Sequence, residues 1–257
     1  MSRRPTDRTR FLRAIRTGEL RFALAALRPG DRRILEIGGG QGWQARQLER
    51  RGYQVCSIDV ARHPDACDDS PVMLYDGHRI PFADDCFDVV FSSNVLEHVA
   101  HLDAFEHELH RVLRPGGLAI HVLPTPAWRL WTSLTHPVRV VRAAVARLGG
   151  AGVSDAGVAH SAGSLRYVFW PNRHGERGNS LSELYWFSQR AWQRHFDGAG
   201  WQVLAVRACP YFYTGQSVFG PIVTLRLRRV LAAVLGAATR VFVLAAAETN
   251  ESMERSG

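Results

Sequence analysis

A chain of 257 residues is long enough for one or two domains, and 46% hydrophobic with 22% charged residues suits a globular protein with a full core. It contains no lysine, so all 32 basic residues are arginine, and against 24 acids they leave a formal charge of +8. This excludes a Schiff-base lysine and a Walker-type phosphate loop, both of which need that residue. Cys56, Cys67, Cys86 and Cys209 show neither C-x-x-C nor zinc-ligand spacing, so they read as reduced thiols and no metal is expected.

Residues 7–28 carry Phe11, Leu12, Ile15, Leu20, Phe22, Leu24 and Leu27 at helical spacing, which predicts N-terminal helices stopped by Pro29-Gly30. Arg13, Arg16 and Arg21 break every apolar run there, so no secretory signal is expected despite the twin arginines. Next comes RILEIGGGQG, residues 33–42, a short β-rich run that meets glycines where the backbone must turn into a helix. Gly38, Gly40 and Gly42 alternate, letting a bound molecule approach the main chain, and Glu36 stands at the carboxyl end of the strand, where open α/β sheets bind ligands. The dinucleotide spacing G-x-G-x-x-G fails here, because its third glycine would fall on Trp43.

A helix over 43–51 and a strand over 53–58 closing at Asp59 complete a right-handed βαβ unit. Asp59 follows Gly38 by 21 residues, near the spacing at which an acid accepts the hydroxyls of a ribose; the plain alternative is a solvated acid at a strand end. Val72–Tyr75 is a third strand ending at Asp76-Gly77. FDVVF, residues 87–91, is apolar enough for a strand buried on both faces, and it runs into Ser93 and Asn94. Leu102, Phe105, Leu109 and Val112 mark one helix face, LRPGG at 113–117 ends that helix, and 118–123 makes a fifth strand.

The pattern E-x-G-x-G-x-G at 36–42, the segment FDVVFSSNVLEHV at 87–99 and the LRPGG turn together resemble the class I S-adenosylmethionine-dependent methyltransferases, type 11 group. The resemblance is close over 30–124 and loose from the sixth strand onward. It implies S-adenosylmethionine as cofactor, held by Glu36, Gly38, Gly40, Gly42 and Asp59. Asp76 with Gly77 would face the adenine amino group, and Ser93 and Asn94 the methionine end.

Beyond Pro124 the regular alternation stops, where the resembling fold carries a substrate insertion. Trp128, Trp131, Leu134, Val138, Val141, Val145 and Leu148 recur every three or four residues, with Arg129, Arg139, Arg142 and Arg147 off the stripe. Such a stripe fits a lid packed on its own domain or, as the second reading, a surface that touches membrane or a lipid-like substrate. Residues 149–163 are rich in Gly, Ala and Ser. PNRHGERGN, 171–179, lies between aromatics at 169–170 and 185–187; it is either a surface turn or a loop that brings His174, Glu176 or Arg177 to the methyl donor. His174 with Glu176 is the candidate general base. A helix after Ser188, a strand over 201–206, an Arg-rich helix over 222–235 and a last strand over 240–244 follow.

The expected architecture is a single Rossmann-like α/β domain: a three-layer sandwich with a seven-stranded, mostly parallel sheet, an antiparallel last strand and a helical or irregular cap. Its parts are N-terminal helices at 1–30, a cofactor core at 31–126, a cap at 127–185 and a closing part at 186–257. No transmembrane span is expected, because the uncharged stretches near the C-terminus are broken by Pro and Gly or too short. The expected location is cytoplasmic, with peripheral contact at the inner membrane face through 128–148 as the accompanying option.

The expected reaction is in-line methyl transfer to oxygen of a small or lipid- or glycan-linked acceptor. A non-catalytic S-adenosylmethionine-binding partner protein is the alternative. Nucleic-acid methylation ranks lower, since Ser93-Asn94-Val95-Leu96 lacks the proline pair of amino-directed base enzymes and Cys209-Pro210 reverses the order of a cytosine nucleophile. No nucleic-acid partner is therefore expected.

Overall fold

The computed structural model describes residues 7–64, 66, 72–148, 171–214 and 220–247. The expectations for 149–163, for Phe169 and Trp170 and for Cys67 fall outside these. Two compact units are distinguished: one comprises 1–16, 124–188 and 209–239, the other 17–123, 189–208 and 240–257.

The second unit is built on a seven-stranded sheet of order β3-β2-β1-β4-β5-β7-β6. Its strands are β1 Arg33–Ile37, β2 Gln54–Asp59, β3 Val72–Leu74, β4 Phe87–Ser93, β5 Leu113–Pro124, β6 Trp201–Ala208 and β7 Thr239–Ala246. β1 pairs in parallel with β2 and β4, β2 with β3 and β4 with β5, whereas β6 and β7 run antiparallel. Parallel pairing requires crossovers, and α2 Trp43–Glu49 and α3 Leu102–Val112 supply two of them. All but the last residue of β4 are buried, as its unbroken apolar run demands. Leu102, Phe105, Leu109 and Val112 of α3 join Leu35, Val90, Ala119 and Leu123 in one core, with Trp192 and Phe196 of a later helix, Gln189–Gly198, in the same cluster.

Two local expectations change. The N-terminal segment is one helix, α1 Asp7–Leu24. LRPGG does not separate α3 from β5, because the strand starts at Leu113 itself. Between the pairs Phe87–Leu113 and Val89–Leu118 one strand advances two residues and the other five, so the Pro-Gly-Gly stretch bulges out of the ladder.

The first unit holds α4 Pro126–Leu148, α5 Glu183–Trp186 and, after the helix Gln189–Gly198 (α6), α7 Leu225–Leu235. The stripe expected at helical spacing over 128–148 lies on one long helix, with Pro137 inside it. Its core gathers Phe11 and Ile15 from the start of α1 with Trp128, Phe187, Tyr211 and Tyr213. Trp131 Nε1 donates to the Leu235 carbonyl at 3.0 Å, which joins α4 to the end of α7. Among the described residues no helix is long and apolar enough to cross a membrane.

Candidate functional site

The glycine turn leaves β1 as the sequence requires. Gly38, Gly40 and Gly42 all have positive φ, a conformation in which a Cβ clashes with the following carbonyl. The amides of Gly38 and Gly39 donate to the Ile58 carbonyl at 2.8 and 3.1 Å, so the turn is stitched to the end of β2. A Cβ on Gly38 would run into Val95, and one on Gly39 into Ser57 Oγ and, at 2.9 Å, Val72 Cγ2. At Gly40 a Cβ would meet nothing within 4 Å. The turn is packed on two residues and open at the third, which leaves room for a ligand against the backbone.

Asp59 ends β2 beside that turn. Its Oδ2 accepts the Gly40 amide at 2.8 Å and its Oδ1 the Val60 amide at 2.7 Å. Oδ1 also takes the Ala61 amide at 3.5 Å, so three amides fix the orientation of the carboxylate and Oδ2 keeps a lone pair for a further hydroxyl donor. Asp76 follows β3, and the Tyr75 amide donates to the Asp59 carbonyl at 3.1 Å, so the two acids are neighbours along one sheet edge. The exposed Asp76 carboxyl accepts the amides of His78 and Arg79, which hold its pKa below the ordinary carboxylate range. Gly77 turns with φ 81, and its carbonyl meets His101 Nε2 at 2.8 Å.

Glu36 is buried, with 1% of its surface exposed. Its Oε2 accepts Ser57 Oγ at 2.6 Å and its Oε1 has no hydrogen-bond partner. Burial pushes the acid up to about 7, with Asp59 and Glu49 adding like charge and the Ser57 hydrogen bond opposing. A carboxyl with an unbonded buried oxygen at a turn with open space in front of it suits a cationic or hydrogen-bonding ligand. At the end of β4, Asn94 adopts φ 56 and its amide donates to the Val122 carbonyl at 2.8 Å, while its side chain donates to Ser93 Oγ at 3.1 Å. All nine sequence-expected cofactor residues thus lie on the second unit, at or just beyond the carboxyl ends of β1, β2, β3 and β4.

The catalytic candidates sit on the first unit. His174 is half-buried, its ring 4.6 Å from that of Trp128 and 6.3 Å from that of Phe187. Glu176 is exposed, and its carboxylate goes to Arg173 at 3.1 Å. The acid that organises the loop is Glu183, which accepts the His174 and Gly175 amides and lies 3.0 Å from the buried guanidinium of Arg129. Arg129 also donates to the carbonyls of Asn172 and Ser180, both at 3.1 Å. The sequence reading missed Ser57, Gly39, Glu183 and Arg129. Only Gly39 left a trace, as the middle of three consecutive glycines.

Comparison with known proteins finds a matching domain and a shared fold. Residues 35–121 match the family model of a methyltransferase domain, type 11. An uncharacterized methyltransferase of Mycobacterium sp. (strain KMS) is 35% identical over 129 residues, covering 45% of this chain and 49% of that protein. The chain spans about half the length of the curated relatives it first matches. In fold it is similar to a SAM dependent methyltransferase from Archaeoglobus fulgidus, with TM-score 0.55 and 13% identity over 90% of this chain and 93% of that one. It is also similar to 1,6-didemethyltoxoflavin-N1-methyltransferase of Burkholderia thailandensis, solved with 1,6-didemethyltoxoflavin and S-adenosylhomocysteine, with TM-score 0.50 and 14% identity over 94% and 87%. Over residues 35–121 the chain is thus similar to a type 11 methyltransferase domain, and its strand order around the glycine turn has the fold of the S-adenosylmethionine-dependent methyltransferases it resembles.

Proposed function

We propose that this protein transfers the methyl group of S-adenosylmethionine to oxygen of a small or lipid- or glycan-linked acceptor. The observation that carries the reading is the closure of Asp59 onto the glycine turn, 2.8 Å from the Gly40 amide, beside an unbonded buried Glu36 oxygen. When bound, S-adenosylmethionine supplies a methyl already activated by a positive sulfur. The chain therefore has mainly to position the reactants, which is worth up to about 7 to 11 kcal/mol.

In this reading the Asp59 carboxylate, oriented by three amides, accepts from the ribose, and Asp76 accepts the adenine amino group. Gly38, Gly40 and Gly42 keep side chains away from the nucleoside. Ser93 and Asn94 hold the methionine end. Glu36 has a pKa close to neutrality, and a nearby cationic ligand favours its ionised form. His174 takes the proton of an acceptor hydroxyl, a step worth typically about 100 to 10,000-fold when the base is positioned. Glu183 fixes the backbone of that loop, and Glu176 with Arg173 closes its outer side.

The test is to incubate the protein with S-adenosylmethionine carrying a deuterated methyl group and the small-molecule fraction of a bacterial extract, then seek deuterium-labelled products by mass spectrometry. A labelled O-methyl product supports the reading. Tight cofactor binding with no labelled product would favour the non-catalytic alternative.

A further inference from the structure

Among its described residues the first unit carries apolar helix faces that are left exposed. On α4, Leu130, Leu134, Val138, Val141 and Val145 recur at intervals of four, four, three and four, and all are exposed, Val145 to 63%. On α7, Leu227, Val230 and Val234 do the same, Val234 to 77%, and Ile222 in the preceding turn is 86% exposed. The two helices meet where Trp131 Nε1 reaches the Leu235 carbonyl, so the stripes lie on neighbouring helices of the first unit. Apolar stripes of this period normally face a core. Here the inward face of α4 is Trp128, Arg129, Thr132 and His136 instead.

We propose that this surface binds an anionic lipid bilayer, lying in the interface without crossing it. Charge decides among the possible occupants. Neither helix contains an acidic residue, and the sequence has none from 109 to 154 or from 198 to 247, although it has 24 in all. Arg142 flanks the stripe on α4, and Arg226 and Arg229 border that on α7, all three exposed. A second copy of this chain would bring like charges face to face, whereas anionic headgroups complement them.

The chemistry of the stripes also favours lipid over protein. Their exposed apolar members are Leu, Val and Ile, while Trp128, Trp131 and Phe212, the aromatic anchors that dominate protein interfaces, are turned inward or packed on one another. Ser133 and Thr135 lie to either side of the α4 stripe and return their hydroxyls to the Arg129 and Trp131 carbonyls at 3.0 and 2.7 Å. Their polar groups thus need no water.

The test is co-sedimentation of the full chain with vesicles of phosphatidylcholine, with and without phosphatidylglycerol, for the wild type and for Val141→Asp and Val230→Asp. Both positions are exposed, so the variants keep the wild-type melting temperature. The expected result is binding to the anionic vesicles that weakens with salt and falls on the order of 10-fold or more in each variant, as expected from apolar insertion combined with surface attraction. Equal binding to neutral vesicles, or none to anionic ones, would overturn the proposal. So would a wild-type dimer, seen by sedimentation velocity, that the same substitutions disperse. Cofactor affinity of the variants, read by calorimetry, stays at the wild-type value, so this outcome is separable from the methyltransferase reading.

Discussion

Gly39→Ala is the sharpest perturbation of the cofactor turn. Gly39 is not among the glycines with positive φ, so alanine meets no backbone penalty there and the effect is purely steric. The new Cβ would collide with Ser57 Oγ and approach Val72 Cγ2 to 2.9 Å. Moving Ser57 removes its 2.6 Å hydrogen bond to the buried Glu36, a loss of about 1–3 kcal/mol. Pressing on Val72 adds about 1–3 kcal/mol of overpacking. The sum, roughly 2–6 kcal/mol, is to be compared with about 1–2 kcal/mol for Gly40→Ala, which enters open space with φ +52. Urea unfolding of Gly39→Ala, Ser57→Ala and the double variant measures the coupling. Because both singles disrupt the same contact, the double costs less than their sum, by about 1 kcal/mol or more. Strict additivity, or a Gly39→Ala no worse than Gly40→Ala, would refute the reasoning.

Three further outcomes follow, two of them from buried charge. Glu36, raised to about 7 from 4.5, keeps its proton longer in the folded state, so its stabilising contribution is lost as pH rises across that window; His121, fully buried and lowered to about 4 from 6.5, contributes stability that is lost as pH falls. Each is worth about 3 kcal/mol and they offset one another; His121→Asn therefore unmasks a decline of roughly that size between pH 4.5 and about 7 in urea unfolding, and a flat profile would contradict it. Glu183→Gln leaves Arg129 buried without its counter-charge and costs about 3–5 kcal/mol in thermal or urea unfolding, part of which Glu183→Met with Arg129→Met recovers. His174→Ala lowers kcat with the true acceptor by about 100-fold or more while cofactor affinity holds, and unchanged turnover would remove it from the mechanism.

The sheet and the turns at its carboxyl end are legible in the sequence because their signals are local. A β-rich run ending in glycines, an acid at the end of the next strand and the 87–99 segment each lie within a single element, and the sheet brings their ends together. The LRPGG segment was legible only in part: its residues do reverse the chain, but as a bulge inside β5 after pairing has begun at Leu113. What could not be read depends on contacts between distant residues. By its spacing Arg129 is one of the arginines off the apolar stripe, yet it is buried because Glu183 meets it, 54 positions later. Ser57 and Val72 matter only because they close on Gly39. The stripe on α4 shows the limit of periodicity most plainly: spacing establishes that one face is apolar, whereas the direction of that face is set by what packs on Trp128 and Trp131. His121, expected as a satisfied core residue, meets Ser92 Oγ at 2.8 Å through Nδ1, while its Nε2 has no partner.

Titration calorimetry with S-adenosylmethionine and NAD on the wild type and Asp59→Ala addresses the central claim most directly. The account predicts that S-adenosylmethionine binds, that NAD does not, and that Asp59→Ala weakens binding by roughly 10- to 100-fold, the loss of a charged acceptor from bound hydroxyls. Undiminished affinity in Asp59→Ala, or preferential binding of NAD, would contradict it.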